Sequence, residues 1–217
     1  MPDSMARCLY LHGFASGPGS HKAAWLGTRL ARHGVEIEVP DLNAGDFSHL
    51  TLTRQMAVLD ALLAGEPGPV TLIGSSFGGY LAALLAEQDP RVERLVLLAP
   101  AFGFGALLES LFGAETMARW QRDGSLQLPE AADAAQRALH YDLVRDLARH
   151  DATPFARQVP ALVFHGIDDP TVPYQRSVDY LRENRAARVV LLADGHSLDP
   201  SLEVIWTGLC AFLELDG

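Results

Sequence analysis

Residues 70–88 read VTLIGSSFGGYLAALLAEQ, a strand-forming run that halts at Gly-Ser-Ser-Phe-Gly-Gly and resumes at once as a helical pattern. Gly74-Ser75-Ser76-Phe77-Gly78 fits the G-x-S-x-G nucleophile elbow, and the strand before it and helix after it are the context that motif needs. The nucleophile of such a turn sits on strained backbone, where a Cβ at either flanking glycine would collide with a neighbouring element. Ser76 would then project above the sheet, and the Phe77 amide at the helix N-terminus could donate to a developing oxyanion. Without its flanking strand and helix, the pentapeptide is a chance pattern in a Gly/Ser turn. Ser75 occupies the variable second position, which suits packing or a local hydrogen bond.

Working outward, short apolar runs recur at 7–12 (RCLYLH), 35–40 (VEIEVP), 69–74, 94–99 (RLVLLA), 161–166 (ALVFHG) and 188–193 (RVVLLA). Most are near-continuous in Val, Leu and Ile, as strands buried on both faces must be. Helical patterns at 21–34, 52–65, 78–90 and 199–215 alternate with them, and the first three stop at Gly or before Pro. The alternation implies an α/β fold with a mostly parallel sheet of about six strands flanked by helices. Its chemistry belongs at the carboxyl ends of the strands.

Residues 103–157 exceed what one crossover helix requires and contain three helical patterns, at 105–113, 114–124 and 131–150. A structureless loop of that length is unexpected in a compact domain, so the segment is read as a helical cap inserted into a single domain spanning 1–217. Leu107, Leu108, Leu111, Phe112, Met117 and Trp120 form its apolar set, mostly for packing. Phe102 and Phe104, just beyond a strand end, are better placed to line an acyl pocket.

A serine nucleophile needs a base and an orienting acid, arriving in the order Ser, Asp/Glu, His in this kind of fold. The run ALVFHG leads into IDDPTVP, where the spacing His165-Gly166-x-x-Asp169-x-x-Val172-Pro173 favours Asp169 over its neighbour Asp168; side chains at consecutive positions do not face the same histidine. RVVLLA leads into DGHSLDP and supplies His196. Taken singly, Asp169 is a turn residue beside Pro170 and His196 a surface loop histidine. Three positions at three strand ends in the required order favour chemistry. The first strand ends at His12-Gly13-Phe14, where an oxyanion loop would offer the Phe14 amide; His12 and His165 are read as structural or loop-fixing.

The chain has 217 residues and a formal net charge of −10, with no Lys/Arg cluster. That charge disfavours a nucleic-acid or anionic-membrane partner. Cys8 and Cys210 lack disulfide or Cys-x-x-Cys spacing and suit free thiols in a reducing compartment. No signal peptide or membrane-spanning run is seen, so a soluble cytoplasmic protein is expected. No histidine pair stands at metal-ligand spacing, and GFASGPGS is neither a P-loop nor a dinucleotide fingerprint.

The segments LYLHGFASGPGSHKA (9–23) and GSSFGGYLA (74–82) resemble the α/β-hydrolase superfamily and, more narrowly, its small YqiA/YcfP-like esterase group, over essentially the whole chain. The resemblance implies Ser76 as nucleophile, His196 as base, Asp169 as triad acid and the Phe14 and Phe77 amides as oxyanion donors. It also implies a cofactor-free hydrolase of small acyl esters. The expected reaction is hydrolysis of carboxylic esters or thioesters. The alternatives are C–C cleavage or a lyase step on the same triad, or a non-catalytic ligand-binding protein, because a fold does not fix its chemistry.

Overall fold

The computed structural model describes residues 7–65, 67–129 and 135–215. In chain order the elements are β1 (Arg7–Leu11), α1 (His21–Ala31), β2 (Ile37–Glu38), α2 (Leu52–Leu63), β3 (Val70–Ser75), α3 (Phe77–Gln88) and β4 (Val92–Leu98). Then follow α4 (Phe104–Phe112), α5 (Ala114–Asp123), β5 (Ser125–Pro129), β6 (Gln136–His140) and α6 (Asp142–His150). The chain closes with β7 (Ala161–Gly166), α7 (Gln175–Glu183), β8 (Ala187–Leu192) and α8 (Leu202–Leu213).

Six strands form one parallel sheet in the order β2-β1-β3-β4-β7-β8. Strands alternate their side chains between two cores. Leu9 and Leu11 of β1 and Leu72 of β3 face α2 and α3, whereas Cys8, Tyr10 and Ile73 face α1 and α8. Covering both faces explains the near-continuous apolar runs; each fully buried leucine contributes roughly 1.5–3 kcal/mol. The chain leaves β1 towards one edge for β2 and returns to the other side for β3. The ends of β1 and β3 therefore flank the switch point of the sheet, the crevice where such folds bind ligands.

Two sequence readings are corrected. The run 35–40 pairs only at Ile37 and Glu38, because it lies on the sheet edge and ends at Pro40, which has no N–H to donate. The helical pattern at 131–150 is helical only from Asp142; residues 136–140 are strand β6, antiparallel to β5, and 131–134 lie outside the described residues. Tertiary contacts overrule the local pattern here. Leu139 is fully buried, and its carbonyl accepts from the Trp120 indole at 2.8 Å. The hairpin also stacks His140 on His49, with ring centroids 4.4 Å apart.

Helix α6 ties this insertion to the sheet layer. Its buried Asp146 accepts from the Thr53 amide at 2.8 Å and the Thr53 hydroxyl at 2.7 Å, in the first turn of α2. Asp151, at its C-terminus, accepts from the Ala106 amide at 3.1 Å and the Tyr80 hydroxyl at 3.2 Å. Ala106 lies in the first turn of α4, whose N-cap is Gly103 and brings no side chain of its own. Both carboxylates satisfy amides that a helix start leaves open. Asp146→Ala is expected to lower stability by about 1–3 kcal/mol, and Asp146→Asn, which keeps one acceptor, by less. Urea unfolding of the two variants beside the parent measures both.

Candidate active site

Ser76 connects β3 to α3 with φ 54° and ψ −119°, left-handed backbone that a side chain rarely adopts. Its amide donates to the Leu98 carbonyl at 2.8 Å, and its carbonyl accepts from Gly79 at 2.9 Å and Ala101 at 3.0 Å. The end of β4, the loop after it and the first turn of α3 thus hold the strained residue. A Cβ at Gly74 would stand 2.5 Å from the Gly78 carbonyl oxygen, and one at Gly78 would run into the Leu11 carbonyl. The glycines are demanded by close backbone approach, and that approach brings the start of α3 against the end of β1.

The serine side chain points to the ends of β7 and β8. Ser76 Oγ lies 3.0 Å from His196 Nε2, and His196 Nδ1 lies 2.6 Å from Asp169 Oδ2. Nδ1 therefore carries the proton that Asp169 accepts, and Nε2 accepts from the Ser76 hydroxyl. Asp169, and not the exposed Asp168, meets the histidine. The Asp169 side chain is fully buried, while that of His196 keeps 26% of its surface exposed, so the far end of the chain of contacts is the open one.

Burial alone would raise the Asp169 pKa. Hydrogen bonds from His165, His196 and the Val172 amide, with the charge of His196, outweigh it and hold the carboxyl well below the usual carboxylate range. Asp169 Oδ1 accepts from the amides of Thr171 at 2.8 Å and Val172 at 2.9 Å. His165 sits 3.2 Å from Oδ2, a contact its position at the strand end hinted at and the sequence did not resolve.

Across the switch point, His12 is buried and its ring spans a turn. Nε2 accepts from the Leu42 amide at 3.1 Å, so Nδ1 carries the proton to the Gly13 carbonyl at 3.0 Å. Burial keeps His12 below the ordinary histidine pKa, hence neutral. The loop it fixes lies against the serine: a Cβ at Gly13 would be 3.9 Å from Ser76 Oγ. Among the described residues, no protein acceptor takes the Phe14 or Phe77 amide.

The flanking aromatics are packed. The Phe104 ring contacts Phe77 at 4.5 Å and Phe14 at 5.3 Å, and Phe102 stacks on Tyr180 at 4.6 Å beside a cleft of about 500 Å³. Of the insertion's apolar set, Leu107, Leu108 and Trp120 are buried, Phe112 and Met117 half-buried and Leu111 exposed. Burial pushes the Cys8 thiol up to about 12, so it is no competing nucleophile. Among the described residues, no three His, Cys, Asp or Glu side chains gather as a metal site, and no helix is long and apolar enough to cross a membrane.

A family profile described as an uncharacterised protein family, UPF0227, matches residues 7–212. The chain belongs to the UPF0227 family. This UPF0227 member is also 39% identical over 108 residues to lipase LipV of Mycobacterium tuberculosis, a match covering 46% of this chain and 39% of LipV. The chain spans under half the length of the curated relatives it matches. Mouse alpha/beta hydrolase domain-containing protein 10 superposes with a TM-score of 0.80 at 21% identity, covering 100% of this chain and 93% of that one. Est1E of Butyrivibrio proteoclasticus, solved with ferulic acid bound, gives 0.77 at 23% identity, covering 97% and 89%. The UPF0227 chain is thus an α/β hydrolase in fold, and a lipase stands among its sequence relatives.

The depressed pKa of Asp169 makes stability acid-sensitive in a defined sense. Its stabilising contribution is complete above about pH 5 and is lost as the pH falls towards the folded-state value. Asp169→Asn should therefore show a flatter decline of the urea midpoint between about pH 5 and pH 3 than the parent does.

Proposed function

We propose that this chain is a serine hydrolase of small carboxylic esters or thioesters, with Ser76 as nucleophile, His196 as general base and Asp169 as the acid that orients it. The continuous contact from Ser76 Oγ through His196 to Asp169, at 3.0 and 2.6 Å, is the observation that carries this reading. The likeness to lipase LipV supports it.

His196 Nε2 takes the hydroxyl proton as Ser76 Oγ adds to the substrate carbonyl, and Asp169 stabilises the imidazolium that forms. The oxyanion of the tetrahedral intermediate accepts from the amides of Phe14 and Phe77, each worth about 3 kcal/mol of barrier. Collapse breaks the ester bond, the leaving alkoxide or thiolate takes the proton from His196, and an acyl-serine remains. Water, deprotonated by His196, then releases the acid and restores the serine. Residues 103–157 act as a cap within one domain, and Phe102 and Phe104 form the packed wall that bounds the acyl group. No cofactor enters this scheme. Cys8 and Cys210 are free thiols, which fits a cytoplasmic setting.

Fluorophosphonate labelling with mass-spectrometric mapping should place the adduct on Ser76. Ser76→Ala should lower p-nitrophenyl ester turnover by at least about a thousandfold. Absence of both adduct and turnover in the folded protein would overturn the reading. Gly13→Ala sets a methyl beside Ser76 Oγ with only ordinary contacts elsewhere. It should keep the fold and lower kcat/KM by about a hundredfold.

A further inference from the structure

His165 closes β7 four residues before Asp169, with no side-chain surface exposed. Its Nδ1 lies 2.7 Å from Ser177 Oγ on α7; its Nε2 lies 2.9 Å from the Val172 carbonyl and 3.2 Å from Asp169 Oδ2. A carbonyl and a carboxylate only accept, so Nε2 carries a proton. In the neutral ring Nδ1 then accepts from the Ser177 hydroxyl. This second Ser–His pair resembles a catalytic dyad, but both residues are fully buried and no substrate carbonyl reaches them. The His165 Nε2–H goes to the Val172 carbonyl, with Asp169 Oδ2 beside it at 3.2 Å. Asp169 Oδ1 accepts from the Thr171 and Val172 amides and Oδ2 accepts from His196, so the protonated edge of the His165 ring lies against the same oxygen that faces the base.

We propose that His165 is a positioning residue for the catalytic base. With Ser177 fixing its tautomer, its Nε2–H holds the Val172 carbonyl of the turn that carries Asp169, and the protonated ring edge 3.2 Å from Oδ2 keeps the carboxylate aimed at His196 and draws off part of its charge. This rests on the reading of Ser76, His196 and Asp169 as a triad. Loss of the donor leaves more negative charge facing His196, which favours the imidazolium and raises the pH at which the base becomes available. The other charged groups near the histidine loop are Lys22, whose ammonium donates to the Ser197 carbonyl at 2.9 Å, and Asp194 and Asp199, which act on that ammonium. Asp168, beside the acid, is exposed and donates its amide to the Asp194 carbonyl at 3.1 Å. None of these is altered in the variants below.

The test compares His165→Leu, His165→Gln and Ser177→Ala with the parent on a p-nitrophenyl ester across about pH 5–9. His165→Leu should lower kcat by about tenfold, the worth of one hydrogen bond in the turn that holds Asp169, with KM little changed and the acidic limb of kcat/KM moved to higher pH. His165→Gln, whose amide N–H falls near the lost one, should recover most of the rate and the limb. Ser177→Ala should move the limb the same way by less. In the parent, ¹⁵N NMR should report a proton on His165 Nε2. An unmoved limb in folded His165→Leu, or His165 found as the Nδ1–H tautomer, would overturn the proposal. If His165→Leu fails to fold, Ser177→Ala and the NMR measurement decide it. Ser76→Ala assayed beside them separates the two readings: retained turnover there sinks the triad, whereas abolished turnover with an unmoved limb sinks only the role of His165.

Discussion

The tight crossing of backbone at the end of β3 governs the rest of the structure. Ser76 is held at positive φ, and the chain around it passes so close to β1 and to the first turn of α3 that two glycines are obligatory. Strain of this kind costs on the order of 1–3 kcal/mol and survives only where surrounding contacts over-determine it. Here the Leu98 carbonyl and the amides of Gly79 and Ala101 do so. The sheet order follows from the same requirement: β1 and β4 must flank β3 for its end to be gripped from both sides. The central strands β1, β3, β4 and β7, covered on both faces, supply the rigidity that makes the grip possible, whereas the edge strand β8 leaves Leu191 exposed.

The remainder of the site is built by saturating hydrogen-bonding capacity. His12 uses both ring nitrogens on backbone groups, and Asp169 receives two amides on one oxygen and the His196 imidazole on the other, with His165 alongside at 3.2 Å. Buried polar groups are costly when unpaired, so each satisfied group has one well-defined orientation. The open end of this chain of contacts lies at the half-buried His196 and Ser76.

The sheet was legible because burial on both faces writes itself as uninterrupted Val, Leu and Ile, and the elbow because its glycines are a steric necessity. The preference for Asp169 over Asp168 came from the spacing after His165-Gly166, and the structure has Asp169 facing His196. The hairpin of β5 and β6 was not legible. Its residues are helix-compatible, and only the burial of Leu139 and the bond from Trp120, contacts set elsewhere in the chain, make them a strand. The acceptance of helix amides by Asp146 and Asp151 was hidden for the same reason: Asp146 is separated by 93 positions from its partner in α2. A pattern within a dozen residues carries no record of such a distance.

The two carboxylates of α6 also divide the insertion into parts with different freedom to vary. One secures α6 to α2; the other secures the start of α4 and, through Tyr80, the helix that carries the serine turn. The loads converge on α6 and on the first turn of α4. The stretch from α5 to the hairpin has contacts of its own, the buried Trp120 and Leu139 and the stack of His140 on His49. A change there is met first by those contacts, while the two carboxylates go on holding α6 and the start of α4 against the layer that carries Ser76.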